Sequence, residues 1–370
     1  MAETKKKQLT RKKPTAGKNK TVKSEETLKT KKSLKKKSSK TSAIKKTDFP
    51  IAGIGASAGG LEALEIFFSN LPSECNMAFV IIQHLSPKHK SIMGSLLSKY
   101  TQMPVNEIKS GMKVEPNHVY LNPPDKNVVI QNGKLELMIP TKTDGINLPI
   151  DCFFKSMAAD LGEKAICIIL SGTATDGTLG LGAIKGGGGI AMVQTPDSAK
   201  YDGMPRSAIA TGIVDFILPV NKLPGELIKY IETPYIRAVK KPKTPDDKFS
   251  EYLQTIFALI RHTVGHDLSH YKQTTIRRRI ERRLAVHQIT KISDYVKFLE
   301  TNVAEVEILF KDMLIGVTNF FRDPEAFKIL KEQVFPELLK SRQPDSLIRI
   351  WSVGCSTGEE AYSMAILLLE

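Results

Sequence analysis

No two of the four cysteines, Cys75, Cys152, Cys167 and Cys355, stand close enough along the chain to read as a zinc-binding pair or a disulfide framework. Their scatter suits a reducing cytosol. Aromatic residues make up 7% of the chain and are missing from residues 1–47, a Lys/Ser/Thr-rich stretch. Such a stretch cannot bury enough apolar surface to offset chain entropy, so a disordered tail is expected there. It lacks the apolar centre of a signal peptide, and no later run approaches the ~18–20 apolar residues of a membrane span. A cytoplasmic protein without a transmembrane segment is therefore expected. A surplus of one charge is also lacking outside the tail. Residues 1–47 hold 18 basic and 3 acidic residues, which leaves 36 of each in the remainder. The net charge of +15 belongs to the tail, which could contact polyanions such as nucleic acid or acidic lipid.

What is present fills two or three domains: 370 residues, 41% of them hydrophobic. Short apolar runs at 49–55, 77–82, 165–170 and 190–193 read as buried strands, and helical spacing lies between them. That alternation predicts an α/β, doubly wound, mostly parallel sheet over residues 48–235. Residues 236–248, charged and proline-containing, read as a linker. Helical periodicity then dominates 249–340, predicting an all-α subdomain. The segment 341–370 reads as the first strand and helix of a Rossmann-like domain, with the strand at Leu347–Val353.

Three groups able to form a hydrolase triad each follow a predicted strand: Ser57 in GIGASAGG, His84 in VIIQHLSP and Asp176 in IILSGTATDG. Open α/β sheets place their chemistry at those strand ends. A serine hydroxyl needs a base, which His84 supplies, and Asp176 would hold the imidazole tautomer. Free amides at the following helix start could face an oxyanion. Taken singly, Ser57 could be a helix cap, His84 a structural histidine and Asp176 a turn residue. The rival reading of GIGASAGG is a dinucleotide fingerprint. Gln83-His84 stands where that fingerprint expects an acid, about 20 residues further on.

GIGASAGG, IIQHLSP and LSGTATDG, in this order, resemble the catalytic domain of chemotaxis protein-glutamate methylesterases (CheB-like) over about residues 49–234. The resemblance implies hydrolysis of γ-glutamyl methyl esters on methyl-accepting chemoreceptors or similar signalling proteins, and deamidation of certain glutamines. It implies Ser57 as nucleophile, His84 as base and Asp176 as orienting carboxylate, with no cofactor and no metal. Ala58 and Thr173 depart from residues common in the family, Thr and Met respectively. Thr173 motivates the alternative of a non-catalytic signalling scaffold. The receiver usual in the family is missing, so control through one is not expected.

The helical region carries TTIRRRIERR, in which Arg278, Arg279, Arg282 and Arg283 make like-charge i,i+4 pairs. Such a helix is a solvated or salt-bridged face, or a docking helix for an acidic partner. VTNFFRD and IRIWSVGCSTGEEAY follow. Glu359 and Glu360 at a helix start would repel a phosphate and favour a cationic ligand. These motifs resemble chemotaxis receptor glutamate methyltransferases (CheR-like), which use S-adenosylmethionine. The resemblance implies that Thr318, Arg322 and Glu359 contact the cofactor and that the arginine helix meets acidic receptor helices. Gly316 stands where the family can have Asn. Residue 370 falls inside the helix after the first strand, so a truncated cofactor domain without methyl transfer of its own is expected.

Overall fold

The computed structural model describes residues 47–85, 92–140, 147–237, 247–316, 318, 320–340, 343, 346–356 and 358–370. The basic stretch 1–46 and most of the expected linker, 238–246, lie outside the described residues. The first half alternates strand and helix. Its elements are β1 (Ile51–Ala56), α1 (Gly60–Ser69), β2 (Ala78–Gln83), α2 (Met93–Leu97), β3 (Val105–Glu107), β4 (Met112–Lys113), β5 (Val119–Leu121), β6 (Asn127–Gln131) and β7 (Lys134–Met138). They continue with α3 (Pro149–Leu161), β8 (Ala165–Ile169), α4 (Thr178–Gly187), β9 (Ile190–Gln194), α5 (Gly203–Ala210), β10 (Phe216–Leu218), α6 (Leu223–Ile231) and α7 (Pro234–Arg237).

Among the described residues, seven strands form one parallel sheet in the order β10-β9-β8-β1-β2-β5-β3. A small antiparallel sheet, β4-β7-β6, accompanies it. β1, β2 and β8 are buried along their whole length, as strands covered on both faces must be. β1 pairs with β2 on one side and with β8 on the other, so the strand order reverses at β1. Ligand crevices form at such switch points.

The glycines of β1 explain how α3 sits. A Cβ on Gly53 would lie 2.9–3.0 Å from Phe153, Phe154 and Met157, and one on Gly55 would lie 2.6 Å from Ile150. Both glycines are therefore used inside a strand, to let α3 press onto the sheet. Helix α4, TLGLGAIKGG, has four glycines in ten residues. Each glycine costs a helix interior about 1 kcal/mol relative to alanine, so α4 depends on what it packs against.

The second half contains α8 (Asp247–Val264), α9 (Gln273–Val286), α10 (Ile292–Thr301) and α11 (Val303–Leu314) around a core including Ile256, Ile260, Ile280, Tyr295 and Leu309. Then come α12 (Pro324–Ile329), a wider turn at Leu330–Val334, α13 (Phe335–Lys340) and α14 (Glu359–Leu369). The strand expected at Leu347–Val353 has no ladder partner among the described residues, and Trp351 is 88% exposed. An unpaired strand leaves its backbone groups to water, so the segment takes no regular structure.

Of the readings open for the α9 arginines, the structure shows internal salt bridges rather than a solvated or docking face. Arg279, Arg282 and Arg283 are buried, and Arg278 is half-buried beside Gly188 with its Nε enclosed and unpaired. Ala285 and Val286 of α9 belong to the same apolar cluster as Leu227 and Tyr230 of α6. With α9 packed on the sheet region, its guanidinium groups take internal partners. Asp215, just before β10, receives Arg282 at 2.7 Å, Arg283 at 3.2 Å and Lys185 of α4 at 2.6 Å. Its other oxygen accepts from Ala191 N at 3.0 Å. Arg282 also pairs with Asp312 of α11, and Arg283 with Glu305.

Burial pushes the Asp215 carboxyl up, but the charges of Arg282, Lys185 and Arg283 outweigh it and hold the group well below the usual carboxylate range. Burial acts the same way on Glu305. Hydrogen bonds from His287 and Arg283 prevail there and bring it from 4.5 to about 2. Removing one partner of a buried ion pair leaves the other uncompensated, so Asp215→Asn is expected to cost about 3–5 kcal/mol in denaturant unfolding. Depressed carboxyls contribute stability that is present above their ordinary range and lost as pH falls through it. The thermal midpoint should therefore be flat from pH 7 to about 5 and fall below about 4.5, with a shallower fall in Glu305→Gln.

Candidate active site

Ser57 follows β1, His84 follows β2 and Asp176 follows β8, the three strands at the centre of the sheet. Hydrogen bonds extend the β1–β8 ladder into the loops: Leu170 N donates to Gly55 O at 3.0 Å, and Ser57 N to Ser171 O at 3.0 Å. They fix Ser57 at the start of α1. A cleft of about 340 Å³ opens there, walled by Ser57, Gln83, His84, Leu85, Met93 and Tyr201, among others. The exposed ion pair Lys200–Glu62, at 2.7 Å, stands on its rim.

Asp176 lies behind His84 and is buried. His84 Nε2 is 2.8 Å from Asp176 Oδ2, with 35% of the imidazole exposed to the cleft. A carboxylate accepts, so Nε2 carries the proton and Nδ1 keeps the lone pair. Asp176 also accepts from Ile150 N at 3.0 Å, Asp151 N at 2.9 Å and Gly177 N at 2.9 Å. Two of these amides are the first turn of α3, where free N–H groups and the helix dipole favour an anion. The Ser57 hydroxyl makes no hydrogen bond to the ring. Catalytic contacts in sites without substrate are often long, and tighten only when substrate binds. Among the described residues nothing accepts from the amides of Ala58 or Gly59, at the start of α1.

Two supporting residues escaped the sequence reading. Asp151 is buried, and its Oδ1 accepts from Gly180 N at 2.7 Å, which ties the first turn of α3 to that of α4 around Asp176. Burial raises its carboxyl, and the neighbouring Asp176 charge adds to the rise. A proline followed two residues later by an acid, at Pro149-Ile150-Asp151, was the available sign of that helix start. Ser171, also buried, donates to Ala58 O at 2.8 Å and accepts from Tyr201 N at 3.0 Å, bracing the Ser57 loop. Thr173 is exposed, and the next residue, Ala174, has φ 64°, a left-handed conformation that costs about 1–2 kcal/mol outside glycine. Strain of this kind gathers at functional loops.

The second set of candidates falls on two segments that meet. Phe321 N donates to Ser363 Oγ at 3.0 Å, and the Phe320 and Tyr362 rings stack at 6.5 Å. Thr318 is half-buried, Arg322 exposed, and Glu359 opens α14 half-buried. A hydroxyl, a guanidinium and a carboxylate on adjoining segments suit a ligand bearing both amino and carboxylate groups. Among the described residues there is no cluster of metal-ligating side chains, and no helix is long and apolar enough to cross a membrane.

Residues 52–227 match the CheB methylesterase family. A Leptospira interrogans protein, assigned provisionally as a protein-glutamate methylesterase/protein-glutamine glutaminase, is 32% identical over 171 residues, 46% of this chain and 89% of that protein. The chain belongs to the CheB methylesterase family. Beyond the CheB part, residues 251–314 match the all-alpha domain of CheR methyltransferases, and 316–370 match their SAM binding domain. The chain thus joins a CheB methylesterase domain to segments that match the all-alpha and SAM binding domains of CheR methyltransferases. An uncharacterized 104.1 kDa protein of Rhodobacter capsulatus is 37% identical over 298 residues, 75% of this chain and 31% of that protein. The Thermotoga maritima protein-glutamate methylesterase/protein-glutamine glutaminase is 33% identical over 186 residues, 49% of this chain and 54% of that protein. The chain therefore spans about a third to a half of these two relatives. The crystal structure of the Thermotoga maritima CheB methylesterase catalytic domain aligns with 49% of this chain and 97% of its own, at 31% identity and a TM-score of 0.46.

Gly172 offers a test of how tightly the site is built. A Cβ there would lie 2.1 Å from Met204 Sδ, which can swing aside, and 3.0 Å from Ser57 Cβ, which cannot. Displacing a reacting group by about 1 Å can cost on the order of 10²-fold. Gly172→Ala should lower ester turnover by about that factor, with the thermal midpoint shifted by only a few degrees in parallel melts.

Proposed function

We propose that this chain hydrolyses γ-methyl esters of glutamate on chemoreceptors or similar signalling proteins through a Ser57–His84–Asp176 triad. It would do so in the cytoplasm. The observation that carries the reading is the short His84–Asp176 contact, with His84 and Ser57 on the wall of one cleft. Ser57 Oγ attacks the ester carbonyl while Nδ1 takes its proton. Asp176, fixed by the α3 amides, holds the ring and stabilises the imidazolium. The developing oxyanion faces the Ala58 and Gly59 amides. The tetrahedral intermediate collapses, and His84 protonates the departing methoxide, which leaves as methanol. Water, deprotonated by the same nitrogen, then attacks the acyl-enzyme and releases glutamate and the free serine. A glutamine side chain would follow the same path with ammonia as the leaving group.

In the CheR part, we propose that Thr318, Arg322 and Glu359 contact S-adenosylmethionine, which supplies the methyl group when bound. The adjoining placement of 320–321 and α14 supports that assignment.

Methanol release from methylated receptor tests the esterase reading. Ser57→Ala and His84→Ala should each lower the rate by at least roughly 10³-fold. A fluorophosphonate should label Ser57 in the wild type and not in His84→Ala. Equal methanol release from wild type and Ser57→Ala would remove the triad.

A further inference from the structure

The acid of the proposed triad stands at the head of a glycine-rich helix. Asp176 stands two positions before α4, with Gly177 between, and four of the ten α4 residues are glycine. At the N-terminal end α4 is tied to Asp151 through Gly180 N at 2.7 Å, and Gly177 N holds Asp176 Oδ1 at 2.9 Å. At the C-terminal end the last carbonyls of a helix have no partner within it. Gly188 N closes back on Lys185 O at 3.1 Å, and Arg279 of α9 caps two carbonyls: one guanidinium nitrogen donates to Lys185 O, and the other to Gly186 O at 3.0 Å. A buried cation at this end also suits the helix dipole. Lys185, on the last turn, reaches Asp312 of α11 at 3.3 Å. The helical region thus grips the far end of the element that presents Asp176.

We propose that Arg279 is a positioning residue for the esterase. By capping α4 it keeps Asp176 and, through it, His84 in register, so that the docked helical region sets the rate of ester cleavage. The proposal rests on the triad reading, and the experiment separates the two. In the full chain, Arg279→Ala, Arg279→Lys and Ser57→Ala are compared with wild type. The readouts are kcat and KM on p-nitrophenyl acetate, and hydrogen exchange of residues 178–187 against β1 and β2. Since a shift of about 1 Å in a reacting group costs up to 10²-fold, Arg279→Ala should lose about 30-fold in kcat and Arg279→Lys about 5-fold, with KM unchanged. Exchange within 178–187 should quicken about tenfold while β1 and β2 keep their protection.

Wild-type kcat and wild-type exchange in Arg279→Lys, with Ser57→Ala inactive, would overturn the positioning role alone. So would a loss of kcat accompanied by equal loss of protection in β1 and β2, which marks general destabilisation. If Arg279→Ala does not fold, Arg279→Lys carries the same comparison. Turnover in Ser57→Ala equal to wild type would instead overturn the triad itself.

Discussion

The close approach of α3 to β1 governs the esterase half. Two glycines in the central strand leave room for Ile150, Phe153, Phe154 and Met157 to press onto the sheet. That contact fixes where the first turn of α3 ends, and its amides fix the Asp176 carboxylate. The imidazole of His84 is then held through Nε2, on the wall of the cleft that Ser57 also lines. Packing under the sheet is thereby converted into a tautomer choice above it, with each step a hydrogen bond or a van der Waals contact.

The parallel sheet was legible because β1, β2 and β8 are continuous apolar runs of strand length with helical spacing between them. The meeting of His84 and Asp176 was legible because both residues follow such runs. The glycines of GIGASAGG were open to a phosphate-turn reading, since a sequence cannot tell a glycine in a turn from one under a helix. Gly53 and Gly55 turn out to be strand residues facing α3. Asp151 was overlooked because its role depends on a helix start 25 residues before its partner, a distance no local pattern spans. Which of the readings of the α9 arginines holds was open in the sequence for a related reason. Their carboxylate partners, Asp215, Glu305 and Asp312, lie 22 to 68 residues away along the chain.

The charge cluster between the sheet and the helical region is not a simple source of stability. Desolvating charged groups offsets much of their attraction, and apolar replacements of similar shape are often as stable. What the cluster supplies is geometry. Arg282 has one acceptor on the loop before β10 and another on α11, and Arg283 reaches Asp215 and Glu305 at once. A sliding contact between greasy faces would tolerate many registers, whereas these forks accept one.

Ala285 and Val286 lie within the apolar cluster of the sheet region, although the sequence around them matches the other family's helical domain. Family boundaries and folding boundaries consequently diverge in this chain. A protease or an engineer severing it between residues 237 and 247 would obtain two halves, each bearing a greasy scar and orphaned ions on its newly wetted side. The physical seam runs through the interior of the segment that matches the second family.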